Sequence, residues 1–133
     1  MRELRFLAAA DPEKVDTTLL IHPLALTDFL DYNDFLDVAD AAIEALGYAG
    51  VLQVASFHPD YRFDGTAAGD VSNFTNRSPH PMLHLLREDS IARAVAACPE
   101  ATAIYERNVE TLHRLGADGW HRLMSNAGRR LEE

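Results

Sequence analysis

Lysine is almost missing from this chain, and so is cysteine: Lys14 and Cys98 are the only examples. One cysteine excludes an internal disulfide framework and any cysteine-rich zinc module. One lysine and eleven scattered arginines stand against 21 acidic residues, for a net charge of −9. A protein that grips duplex needs clustered cations to displace phosphate counterions, and an anionic membrane makes the same demand. Neither nucleic acid nor membrane is therefore an expected partner. No apolar run approaches the roughly 18 to 20 residues of a membrane span. The opening Met1-Arg2-Glu3-Leu4-Arg5-Phe6-Leu7 interleaves charge with apolar residues and has no signal-peptide core, so a cytoplasmic protein is expected. Also missing are the Gly-x-x-x-x-Gly-Lys phosphate loop, the dinucleotide Gly-x-Gly-x-x-Gly and the Gly-x-Ser-x-Gly nucleophile elbow. Nucleotide hydrolysis, hydride transfer and α/β-hydrolase chemistry lose ground accordingly.

What is present is a core-sized supply of apolar side chains, 47% of 133 residues, enough for one globular domain. Two strand-like runs stand out because they end alike. Thr17–Ile21 runs into His22-Pro23, and Val51–Phe57 runs into His58-Pro59. The stretch between them reads as helix to Leu46, with Leu26, Phe29, Leu30, Leu36, Ala39 and Ile43 on one face and Gly47 and Gly50 as the stop. A β-α-β unit would set both histidines at the carboxyl edge of a parallel sheet, where open α/β folds place ligands.

Residues 2–10 read as a helix that ends before Asp11-Pro12. From Pro59 to Pro81 periodicity is lost, and a polar loop of this length is often a lid or a binding loop. Met82–Leu86 reads as a third strand, Ser90 as the cap of a short helix reaching Cys98, and Pro99 as the start of another reaching Leu115, stopped by Gly116. The expected fold class is thus α/β: a small, mostly parallel three-stranded sheet flanked by helices, with a long polar loop at the strand C-terminal edge. Residues 1–116 form the single domain and 117–133 a C-terminal tail, in which Trp120 is a candidate for docking. Three strands make an incomplete-looking sheet, which predicts either pairing with a second copy or a missing upstream element.

Two groups of residues could carry chemistry. His22, His58, Asp60 and His84 combine imidazoles, which shuttle protons near neutral pH or ligate metals, with a carboxylate that could orient one of them. Their spacing matches no compact ligand pair, so no metal site is assigned; the bland alternative is that each imidazole bonds a nearby carbonyl. Asn73–Pro79 offers Arg77, a planar fork suited to a carboxylate or phosphate, beside Asn76 and Ser78. Its bland alternative is an ordered loop whose side chains bond their own backbone. The row Asp28, Asp31, Asp34, Asp37 and Asp40 reads as a solvated helix face, Arg87 and Glu88 as a structural pair, and Cys98 as a buried thiol.

The blocks Val54-Ala55-Ser56-Phe57-His58-Pro59-Asp60-Tyr61, Thr75-Asn76-Arg77-Ser78-Pro79 and Leu83-His84-Leu85-Leu86-Arg87-Glu88 resemble the bacterial family called domain of unknown function 1415. Asp16–Leu19 and Phe29–Leu36 resemble it too, and the resemblance spans about residues 5–116. It implies an α/β domain and supplies no activity or cofactor. It also implies a further upstream segment in relatives, a helix with an Asn-Leu-Cys-Pro-Phe-like stretch and then a strand, which this chain lacks.

Two functional readings follow. In the first, a small anionic molecule binds under the 59–81 loop: His58 acts as general acid or base, Asp60 assists it, and Arg77, Asn76, Ser78, His84 and His22 contact the ligand. In the second, the chain is a non-catalytic binding or homodimeric assembly module.

Overall fold

In this computed structural model residues 1–98 and 100–129 are described. Pro99, expected to open a helix, lies outside the described residues, as do residues 130–133 of the expected tail. The elements run α1 (Arg2–Ala9), β1 (Thr17–Ile21), α2 (Phe29–Ala45), β2 (Leu52–Phe57), a 3₁₀ helix (Val71–Asn76), β3 (Met82–Arg87), α3 (Glu88–Ala97) and α4 (Ala101–Arg129). Local chemistry explains the boundaries. The Asp28 carboxylate accepts from the Leu30 and Asp31 N–H groups and so caps α2. Gly47 and Gly50, at φ +74° and +75°, supply the left-handed turns that lead into β2. Gly116, at φ +63°, breaks α4 into segments 101–115 and 117–129. The expected tail is therefore helical as far as it is described.

The sheet corrects the expectation of parallel strands. Its order is β1-β3-β2, and β3 pairs antiparallel with both neighbours, with Leu19 and Ala55 opposite His84. The fold is α/β with an all-antiparallel three-stranded sheet. The physical reason lies in the 59–81 connection: it leaves β2 and enters β3 at the same edge, without the crossover helix that a parallel return needs. β1 and β2 still share a direction, since both oppose β3, so His22 and His58 do fall at one edge with β3 between them.

One face of the sheet carries the core. Leu4 and Leu7 of α1, Ile43 of α2, Leu52 and Leu85 are buried together, with Val15, Leu20, Leu46, Tyr48 and Val54 packed around them. Full burial of a side chain such as Leu7 is worth about 2–3 kcal/mol. At the far end of β3, Arg87 holds α1 in place: its Nη2 donates to the carbonyls of Leu7, Ala10 and Val15 at 2.7, 2.9 and 3.0 Å. This replaces the structural ion pair expected of Arg87 and Glu88, and it satisfies helix-end carbonyls that would otherwise lack partners. The opposite face of the sheet is only partly covered. Leu19 and Ile21 remain 50% and 54% exposed there.

Candidate functional site

The end of β2 is a closed knot. His58 has no exposed surface and packs against Phe29 and Tyr32, with ring centroids 5.4 and 5.0 Å away. The Asp60 N–H donates to His58 Nδ1 at 3.0 Å, and His58 Nε2 lies 3.1 Å from the Leu26 carbonyl. An N–H can only donate and a carbonyl can only accept, which assigns the neutral ring with its proton on Nε2. Leu26 stands at φ +56°, a conformation that costs a non-glycine residue about 1–2 kcal/mol, and the bond from His58 helps hold it. Tyr32, fully buried in α2, closes the same knot. Its hydroxyl donates to the Met82 carbonyl at 2.7 Å and accepts from the Phe57 N–H at 3.0 Å, bridging the last pair of β2 and β3. Burial pushes its pKa up from 10.0 to about 12.

The 59–81 loop is tied to itself in the same way. Buried Asn73 accepts from the Phe63 N–H and the Thr66 hydroxyl and donates to the Ala67 carbonyl. Asp70 caps the 3₁₀ helix through the Ser72 N–H and hydroxyl, and these bonds hold its carboxyl below the usual range. Asn76 donates to the Ser56 carbonyl and Ser78 to that of His80. Arg77 donates to the carbonyls of Tyr61 and Ala68 at 3.2 and 3.0 Å and lies 4.5 Å over the Phe74 ring. Partial burial lowers the pKa of its guanidinium, and the nearby Asp60 carboxylate partly offsets that shift. The loop thus does bring His58, Asp60 and Arg77 into one neighbourhood. Both ring nitrogens of His58 and the Nε and Nη2 atoms of Arg77 are turned to backbone, and the cavities beside the sheet and α2 are lined by other side chains, with Asn76 in one of them.

His22 and His84 stand apart from that neighbourhood. His84 is on the less covered face of the sheet. The Thr17 hydroxyl donates to the Leu85 carbonyl and contacts His84 Nε2, so the Nε2 proton points at Thr17. Burial lowers the pKa of this ring. His22 faces the helices instead, in the lining of an apolar cavity. Its backbone N–H donates to the Pro81 carbonyl, but its Nε2 is buried without a hydrogen-bond partner. Among the described residues no three His, Cys, Asp or Glu side chains gather where a metal ion could be held.

Sequence reasoning missed Tyr32, Asn73 and Phe74. Tyr32 carries no pattern that separates it from the rest of the α2 stretch. Asn73 could not be told from its polar neighbours. Phe74 did carry a signal, an aromatic ring inside a polar loop, and the structure stacks Trp120 of α4 on it at 5.4 Å. Cys98 is only half-buried, beside Phe57 and Tyr105.

A family model described as protein of unknown function (DUF1415) matches residues 1–122. The chain belongs to this family. The upstream segment expected from the resemblance is not shown by this match. No curated protein and no solved structure matches the chain. Among the described residues, no helix of this DUF1415 protein is long and apolar enough to cross a membrane.

Proposed function

We propose that this DUF1415 protein is a non-catalytic assembly module that pairs with a second copy of itself along β1 and the less covered face of its sheet. The observation that carries the reading is the chemistry of that face. Leu19 and Ile21 expose half their surface, and none of the side chains that the register places beside them on β3 and β2 is charged. In a chain of net charge −9 two copies repel over most of their surface, so a contiguous uncharged patch is the place where they can meet. β1 is also an edge strand, and an edge presents unpaired N–H and C=O groups to any strand laid against it. Two β1 strands related by a two-fold axis would run antiparallel and extend the sheet to six strands.

This reading is preferred to acid–base catalysis at His58, Asp60 and Arg77 because of where their atoms point. A general base needs a lone pair facing the substrate, and that of His58 is taken by the Asp60 N–H. Arg77 gives its Nε and Nη2 to loop carbonyls and lies over the Phe74 ring. The test is solution mass by light scattering and sedimentation equilibrium. Wild-type protein is expected to be a dimer, and Leu19→Lys a monomer with an unchanged circular dichroism spectrum. A wild-type monomer at every accessible concentration would sink the proposal.

A further inference from the structure

One side chain in the middle of the less covered face can take up a charge. His84 stands on β3, the central strand, and the register sets Leu19 on one side of it and Ala55 on the other. Its ring is partly buried, lies 6.3 Å from the Phe57 ring and meets the Thr17 hydroxyl through Nε2. That hydroxyl gives its own proton to the Leu85 carbonyl, so it can only accept from the ring. One ring proton is thereby fixed on Nε2, and a second, taken at Nδ1, turns the imidazole into a cation.

The ionisable groups on the segments beside the ring leave that cation without compensation. Asp16 accepts from the Ser90 hydroxyl, to which Arg93 also donates. Glu88 and Asp89 form the first turn of α3, and Cys98 and Tyr105 share a groove with Phe57. None of these offsets the cost of charging the ring, whose pKa burial alone lowers from its ordinary 6.5. A second copy laid on the face removes more water, and a cation loses more by that than a neutral ring does.

We infer, on the basis of the assembly reading above, that protonation of His84 separates the two copies. The dimer prefers the neutral ring. Pairing is therefore complete above the His84 pKa of the free chain and is lost as pH falls through it. Bulk charge pulls the other way. The chain carries six histidines and a net charge of −9, and each proton taken up elsewhere on acidification weakens the repulsion between copies. A general charge effect tightens pairing as pH falls, whereas His84 loosens it, so the two are told apart by sign.

The experiment is sedimentation equilibrium of the full chain from about pH 7.5 down to about pH 5.5, wild type beside His84→Gln. The wild-type association constant is expected to fall roughly tenfold over that range, because each dimer formed releases up to two protons. In His84→Gln it is expected to hold or rise. Equal pH trends in the two proteins overturn the role of His84 and leave the assembly reading standing. A wild type that stays monomeric at the upper pH overturns both. Should His84→Gln fail to fold or to pair, His84→Phe keeps an uncharged ring beside Phe57 and faces the same comparison. Wild type alone supplies a second readout: the His84 ring, titrated by NMR, is expected to protonate at lower pH in concentrated than in dilute solution. A midpoint that ignores concentration overturns the inference whatever the variants do.

Discussion

Two strand ends in this protein share the same sequence ending, His-Pro, and the same edge of the sheet, yet they are built oppositely. At the end of β2 every polar atom of the His58 ring is bonded to backbone, the ring is fully buried, and an unfavourable Leu26 conformation is held by it. At the end of β1 the His22 ring contributes no hydrogen bond through Nε2 and borders empty apolar space. Identical dipeptides thus serve as a fastening in one place and as an unused polar group in the other. What differs is not the histidine but what the chain brings to meet it. The loop after β2 returns N–H and C=O groups to His58, whereas the cavity wall that His22 shares with α2 is apolar.

The comparison can be broken most forcefully at His58. His58→Ala removes two backbone bonds and a ring from a fully packed site and should cost about 3 kcal/mol, read as a lower urea midpoint with unchanged slope. A loss under about 1 kcal/mol would mean that the knot is not a structural fastening. Tyr32→Phe should cost less, about 1–2 kcal/mol, because the Phe57 N–H and Met82 carbonyl that it frees can pair with each other. It carries a pH signature besides. The folded pKa of Tyr32, about 12, exceeds its ordinary 10.0, so the unfolded chain ionises first. The Tyr32 contribution is therefore complete below pH 10 and lost as pH climbs through 12. Denaturation midpoints of wild type and Tyr32→Phe should converge over that window; midpoints that stay parallel would refute the assignment. The smallest effect is expected at His22. His22→Leu removes an unpaired nitrogen from an apolar lining and should change stability by less than about 0.5 kcal/mol, or raise it slightly. A loss comparable to that at His58 would erase the contrast between the two strand ends.

Much of the architecture was legible in local pattern. β1 falls at Thr17–Ile21 as its apolar and β-branched run indicated, β2 and β3 begin or end within a residue of their runs, and Gly116 breaks α4 where its position suggested. Strand direction was not legible from the strands themselves, because continuous apolar runs look alike in parallel and antiparallel sheets. The connections held the information. A helix links β1 to β2, whereas 59–81 has no helix long enough to carry the chain back along a strand, and that difference is what places β3 antiparallel. For the candidate residues, proximity was legible and the state of their atoms was not. His58, Asp60 and Arg77 do come close together, but whether their atoms face a ligand or the backbone depends on which carbonyls the loop presents, and no spacing rule encodes that. Tyr32 was hidden for a related reason: a buried hydroxyl within α2 acquires meaning only from the strand ends beside it.

The central strand of the sheet is also the last of the three to be made. During synthesis β1 and β2 leave the ribosome with nothing to pair to, since their shared partner ends at Arg87, and the same arginine supplies the bonds that anchor α1. Until that point two uncharged strands, Thr17–Ile21 and Leu52–Phe57, travel unprotected through a period of tens of residues of elongation. The sheet and its first helix must then form together in one late event rather than by stepwise growth from the N-terminus, so a chain stalled before β3 is a species that folding helpers and proteases would recognise.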